Sequence, residues 1–119
     1  MKVLLLQDGG DHEKNKHLRE CITLQKGLLN IGHECDVWGR NHPHCDSTKL
    51  PDFDSYDLVV DLWEAYHPHV DLSSVKTKKL LWSCDAHVQG EDFYINIMNQ
   101  GKYDAILSNA RDLFRDVPS

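Results

Sequence analysis

The sequence has 119 residues, 40% of them apolar and 27% charged, which is the size and balance of one globular domain rather than a disordered segment. Thirteen Lys and Arg against nineteen Asp and Glu give a formal charge of -6 at pH 7, which argues against a nucleic-acid partner, since tracking a phosphate backbone demands a basic face. The early apolar run Val3 to Leu6 is too short for a membrane span or a secretory signal core, and the four Cys, at 21, 35, 45 and 84, form no C-x-x-C pair, so the expectation is a cytoplasmic chain with reduced thiols.

In chain order, Lys2 to Gln7 is an apolar run closed by Asp8-Gly9-Gly10-Asp11, a buried strand ending in a turn. A helix is expected from about Glu13 to Ile31. Leu18, Cys21, Ile22, Gln25, Leu28 and Leu29 recur three or four apart on it and place the apolar ones on one face. Gly32 stands where a left-handed cap ends a helix. Glu34 to Gly39 alternates as a half-exposed second strand, and a loop rich in His, Pro and Asp runs from Arg40 to Ser55. Asp57 to Trp63 is the third strand. A weak crossover follows from Ala65 to Lys78, with one helical turn after Asp71 as its cap. Lys79 to Cys84 is the fourth strand. A helix over Glu91 to Gln100 turns Phe93, Ile97 and Met98 inward and stops at Gly101. Tyr103 to Ser108 is the fifth strand, after which Asn109 caps a last helix carrying Leu113 and Phe114.

Strands separated by long connections pair in parallel, and the apolar density of strands one, three and four suits a sheet covered on both sides. The fold expected is α/β: a three-layer, Rossmann-like, open and mostly parallel sheet of about five strands with helices on both faces, forming a single domain over residues 1–119. No internal repeat or linker divides it.

Ligands of such sheets bind beyond the carboxyl ends of the strands. The residues there are Asp8 to His12 after strand one, and Arg40, His42, His44 and Cys45 after strand two. After strand three come Glu64, Tyr66, His67 and His69, and after strand four Asp85, His87 and Gln89. Six of the eight His fall in this set, at 12, 42, 44, 67, 69 and 87.

Gly9 and Gly10 permit close approach to a ligand, with amides of the following helix offered to a phosphate or hydroxyl; a plain strand-to-helix turn accounts for them equally. Neither G-x-G-x-x-G nor G-x-x-x-x-G-K-[ST] occurs, so neither a dinucleotide enzyme nor a Walker-type ATPase is supported. His87, two residues after Asp85, has the pKa range of a base or a hydroxyl-binding group, though a surface His beside an Asp reads the same way. His-Pro-His-Cys at 42–45, His-Pro-His at 67–69 and Cys84 with His87 carry zinc-type ligands without a standard spacing, and no metal site is assigned. Cys84 reads as a small core residue and Lys76, Lys78 and Lys79 as a solvated crossover. Trp38, Trp63 and Trp82 are expected to pack against helices, with Trp63 or Tyr66 available as a stacking wall for a sugar.

The segments KVLLLQDGG, GLLNIGHECDVWG, YDLVVDLWE, KKLLWSCDAH and YDAILSNARDLF resemble, over nearly all of the chain, the N-terminal half of GT-B glycosyltransferases, in particular the spore-maturation-type and other bacterial family-four-like enzymes. The resemblance implies transfer of a sugar from a nucleotide-sugar donor to an acceptor, with no further cofactor. It places Gly9, Gly10, Ser108 and Asn109 on the substrate side, and Asp85 and His87 at the strand-four position that contacts the reacting sugar; His12 and Tyr66 join the candidate substrate residues from their own places in the loops after strands one and three. It also implies a second, C-terminal donor domain, absent from these 119 residues, without which this acceptor-side half is inactive. Two other classes fit the pattern: a stand-alone flavodoxin-like or receiver-like module, and a metal-dependent hydrolase built on the His-rich rim. A receiver needs an acidic pair after strand one, an Asp after strand three and a Lys after strand five. Asp8, Asp11 and Asp61 meet this loosely and no Lys follows Ser108.

Overall fold

The computed structural model describes residues 1–9, 20–41, 45–62, 70–83 and 91–108, the side chains at 83, 91, 94 and 108 excepted. In chain order these form β1 (Lys2–Leu6), α1 (Glu20–Asn30), β2 (Glu34–Trp38), a 3-10 turn (Phe53–Ser55), β3 (Leu58–Leu62), β4 (Lys78–Ser83), α2 (Glu91–Gly101) and β5 (Ala105–Ser108). All five strands pair in parallel in the order β2-β1-β3-β4-β5. The chain therefore starts in mid-sheet, steps to β2, returns past β1 to β3 and continues outward. The expected Rossmann-like α/β arrangement is present, with described helices on both faces.

Strand composition explains the layering. Val3, Leu5, Val37, Val60 and Leu62 point to one face, where Cys21 and Ile22 of α1 meet them. Leu4, Leu6, Val59, Leu81 and Ile106 point to the other, beneath Ile97 and Met98 of α2 and beside Leu72 of the crossover. Near-continuous apolar strands are what a sheet buried on both sides requires.

Two entry points set the strand register. The Asp57 amide donates to Lys2 O at 2.8 Å while its carboxylate takes the Lys2 amide at 2.7 Å. Asp104 repeats this with Lys79, at 2.8 and 2.9 Å. The preceding tyrosines reach one strand further: Tyr56 OH donates to Asp36 of β2 at 2.7 Å, and Tyr103 OH donates to Asp61 of β3. Asp61 is fully buried and Asp36 is exposed.

The helix ends follow from their carbonyls. After α1, Gly32 takes φ 92°, its amide donating to Leu29 O and that of His33 to Leu28 O, the paired bonds of a Schellman cap. After α2 the same pair joins Lys102 to Asn99 O and Tyr103 to Met98 O, and the left-handed residue is Lys102 at φ 55°. The expected stop at Gly101 is thus corrected by one residue: Gly101 is still helical. Phe93 and Leu29, expected inward, are 41% and 51% exposed, because each lies at the margin of its helix's buried stripe. The turn expected after Asp71 is a single backbone turn, the Val75 amide donating to Leu72 O at 3.1 Å, and Asp71 stands at its start, Oδ1 accepting the amide and hydroxyl of Ser73.

Lys79 is the largest correction. Expected on a solvated crossover, it is 2% exposed, and its ammonium donates to Leu72 O and to Gly101 O at 2.7 Å. Those carbonyls, one from the crossover and one from the end of α2, are the acceptors a buried ammonium needs. Burial lowers its pKa, and nearby Asp104 opposes that shift.

Two outcomes test this packing. Tyr103→Phe strips a hydrogen bond from a buried carboxylate and costs about 1–3 kcal/mol in urea unfolding, whereas Tyr56→Phe, whose Asp36 partner is exposed, costs less than about 1. Cys35 is pushed up from 9.0 to about 11 by burial first and by the Asp36 charge second. A thiol with a raised folded pKa contributes stability that is full below pH 9 and lost as pH rises through 11. Wild type should therefore lose up to about 2 kcal/mol over that window relative to Cys35→Ala, read as converging unfolding midpoints.

Candidate functional site

The carboxyl edge of the sheet begins with Gln7, which is fully buried although polar. Its amide continues the ladder to Trp38 O at 3.1 Å. Its side chain spans to α1: Nε2 donates to Glu20 at 2.8 Å and Oε1 accepts the Cys21 amide at 2.9 Å. A glutamine here thus binds strand end and first helical turn together, and it occupies an amide that a phosphate would otherwise claim.

Asp8 and Arg40, the residues that follow Gln7 and Gly39, form a fork. Arg40 Nη2 reaches Asp8 Oδ2 at 2.7 Å and Nε lies at 3.1 Å from the same oxygen, while the Arg40 backbone amide donates to Asp8 Oδ1 at 2.7 Å. The Gly9 amide donates to Arg40 O at 2.9 Å, closing the β1 and β2 loops onto each other. Of the candidate substrate residues, Gly9 is therefore at the expected edge, but its amide is engaged inside the protein; what it offers a ligand is close approach. Asn41 follows in the left-handed region at φ 55°.

Beyond Arg40, the loop is drawn back to the strand it left. Ser47 Oγ and Cys45 Sγ both donate to Gly39 O, at 2.6 and 3.5 Å, and Trp38 Nε1 donates to Lys49 O at 2.8 Å. Trp38 packs in the core beneath this loop, where a helix was expected.

Ser108 closes β5 at the same edge, in register with Ser83 of β4. Gly10, His12, Tyr66, Asp85, His87 and Asn109 lie outside the described residues, as do His42, His44, His67, His69, Trp63 and Cys84. Among the described residues no three His, Cys, Asp or Glu side chains gather as a metal site, and no helix is long and apolar enough to cross a membrane.

The sequence reading located the edge but missed two of its polar links, Gln7 to α1 and Asp8 to Arg40, and at the strand entries it missed Tyr103 to Asp61. The partners stand 13, 32 and 42 residues apart, and the visible signal was the placement of polar residues against apolar strands.

Compared with protein-family models, curated proteins and solved structures, the chain matches none.

The fork makes a differential prediction. Arg40→Ala removes a half-exposed ion pair and costs less than about 1 kcal/mol. Asp8→Ala also strands the Arg40 amide and costs about 1–2, measured as the difference between the two urea midpoints.

Proposed function

We propose that this domain is the acceptor-side half of a GT-B glycosyltransferase, working with a donor domain that holds the nucleotide-sugar. The observation that carries the reading is the state of the amides at the turn after β1. Gly9 N–H is taken by Arg40 O and the Cys21 amide by Gln7, so the described part of this turn is not a phosphate cradle. An edge whose described amides are engaged in this way recognises a ligand there through side chains, which suits the hydroxyls of an acceptor better than the phosphates of a nucleotide. In this reading His87 takes the proton from the attacking acceptor hydroxyl, and Asp85 orients that hydroxyl or the imidazole. Gly9 and Gly10 let the acceptor approach the backbone, and His12, Tyr66, Ser108 and Asn109 line its path.

A second reading has one observation in its favour: the strand order β2-β1-β3-β4-β5 is that of flavodoxin-like modules, whose ligand sits where β1 and β3 diverge. Its receiver form is disfavoured by Asp61, which is fully buried and bonded to Tyr103 rather than presented for phosphorylation.

The test begins with an antibody against these residues, which should detect a native product two to three times larger than the 13.7 kDa of this chain. That product should turn over a member of a nucleotide-sugar panel, and His87→Ala should abolish turnover with the thermal midpoint kept. A native band at 13.7 kDa, or no turnover across the panel, overturns the proposal. Retained turnover in the variant removes His87 from it. Labelling by acetyl phosphate, or a flavin colour in the purified protein, would favour the module instead.

A further inference from the structure

Lys79 is a buried titratable group that the proposed chemistry does not use. Its side chain is sealed from water, and among the described residues its ammonium meets two acceptors, Leu72 O and Gly101 O. An ammonium carries three N–H donors, so one of them has no acceptor there. No described carboxylate pairs with the charge: that of Asp104 takes the Lys79 backbone amide instead, at 2.9 Å. The two acceptors belong to separate connections. Leu72 lies between β3 and β4, where its carbonyl also takes the Val75 amide at 3.1 Å and closes a turn. Gly101 is the last residue of α2, between β4 and β5.

We propose that Lys79 is a proton-linked clasp: its side chain joins the crossover turn to the end of α2, and its protonation state acts on both segments together. The sign of the linkage follows from the surroundings. A charge taken out of water without a paired carboxylate is disfavoured relative to the neutral group, and a neutral amine has two N–H donors, which the two carbonyls match. Asp104 before β5, Asp54 of the 3-10 turn and Asp71 of the crossover favour the charged form, and Lys102 after α2 opposes it. Burial is the largest cause and sets the direction, lowering the pKa from 10.5. Opening the seam between crossover and α2 lets the ammonium reach water and restores the ordinary value. The closed seam therefore holds the proton less tightly than the open one. Its contribution to stability rises with pH from the lowered pKa up to 10.5, and a fall in pH through that window favours opening. Cys35 titrates in the contrary sense but packs against the other face of the sheet, so a local readout separates the two. The inference does not depend on the transferase reading.

Carbon-detected NMR of the 119-residue protein, titrated from about pH 7 to about pH 11, tests it. The Lys79 Cε resonance should titrate with a midpoint at least about half a unit below 10.5. The carbonyl carbons of Leu72 and Gly101 should move with that same midpoint. Those of Leu28 and Leu29, which close the α1 cap through backbone amides, should not share it. Lys79→Arg keeps its charge throughout the range and should abolish the movement at both carbonyls. A Lys79 midpoint at or above 10.5 overturns the proposal, as do different midpoints at Leu72 and Gly101, or carbonyl movements that persist in Lys79→Arg. Should that variant fail to fold, the wild-type titration alone decides, since it reads both the sign and the common midpoint.

Discussion

Parallel strands carry no tight turn that fixes their register, and a slip of one residue exchanges the two faces of a strand. In this protein the register is set at the strand entries by a Tyr-Asp step used twice. Asp57 and Asp104 each hold both backbone groups of one residue on the neighbouring strand, Lys2 and Lys79 respectively. Tyr56 and Tyr103 each reach the strand beyond, at Asp36 and Asp61. The two constellations follow the same plan, each built from a lysine, a tyrosine and two aspartates, one over β2-β1-β3 and one over β3-β4-β5. With the entries aligned in this way, the carboxyl ends from Leu6 to Ser108 come out at one edge, and that edge is where a ligand site can form.

The two copies of the plan differ in burial, and the difference shapes the second half of the fold. Lys2 lies over the ring of Tyr56, its ammonium 4.8 Å from the ring centre. Lys79 is sealed beneath α2, so its charge needs acceptors from the protein, and it takes Leu72 O and Gly101 O. That requirement accounts for the shape of the crossover before β4. Leu72, itself fully buried, presents its carbonyl inward, where it accepts the Val75 amide at 3.1 Å as well as the ammonium. The end of α2 is fixed by the same ammonium, which leaves the left-handed position to Lys102 although Gly101 stands next to it.

The strands were legible because Val3 to Leu6 and Leu58 to Leu62 are apolar enough to be recognised without partners, and their ends fell within a residue or two of expectation. Gly32 was legible as a cap because glycine advertises positive φ; Lys102 was not, since nothing in a lysine announces it. Lys79 was misread because its burial depends on carbonyls 7 and 22 residues away. The edge could be located because each polar loop directly follows its own strand in the sequence. The contacts within the edge were hidden, since the Asp8–Arg40 fork joins loops whose proximity exists only after β1 and β2 have paired.

Electrostatics at the edge point in the same direction as the hydrogen bonds. The Arg40 guanidinium shares its charge with Asp8, which sits 18% exposed beneath it, so this cation is partly neutralised before any ligand arrives. The chain as a whole is acidic, at a formal -6, and does not concentrate anions by its field. A site for a free nucleotide would be expected to gather positive charge and open amides at the turn after β1; here the described amides and the described cation are already committed within the protein. The proposal adds to this an acid and an imidazole, Asp85 and His87, which lie outside the described residues. Such groups bind and deprotonate hydroxyls rather than hold phosphates, and this division of labour is what the proposal of an acceptor-side domain expresses.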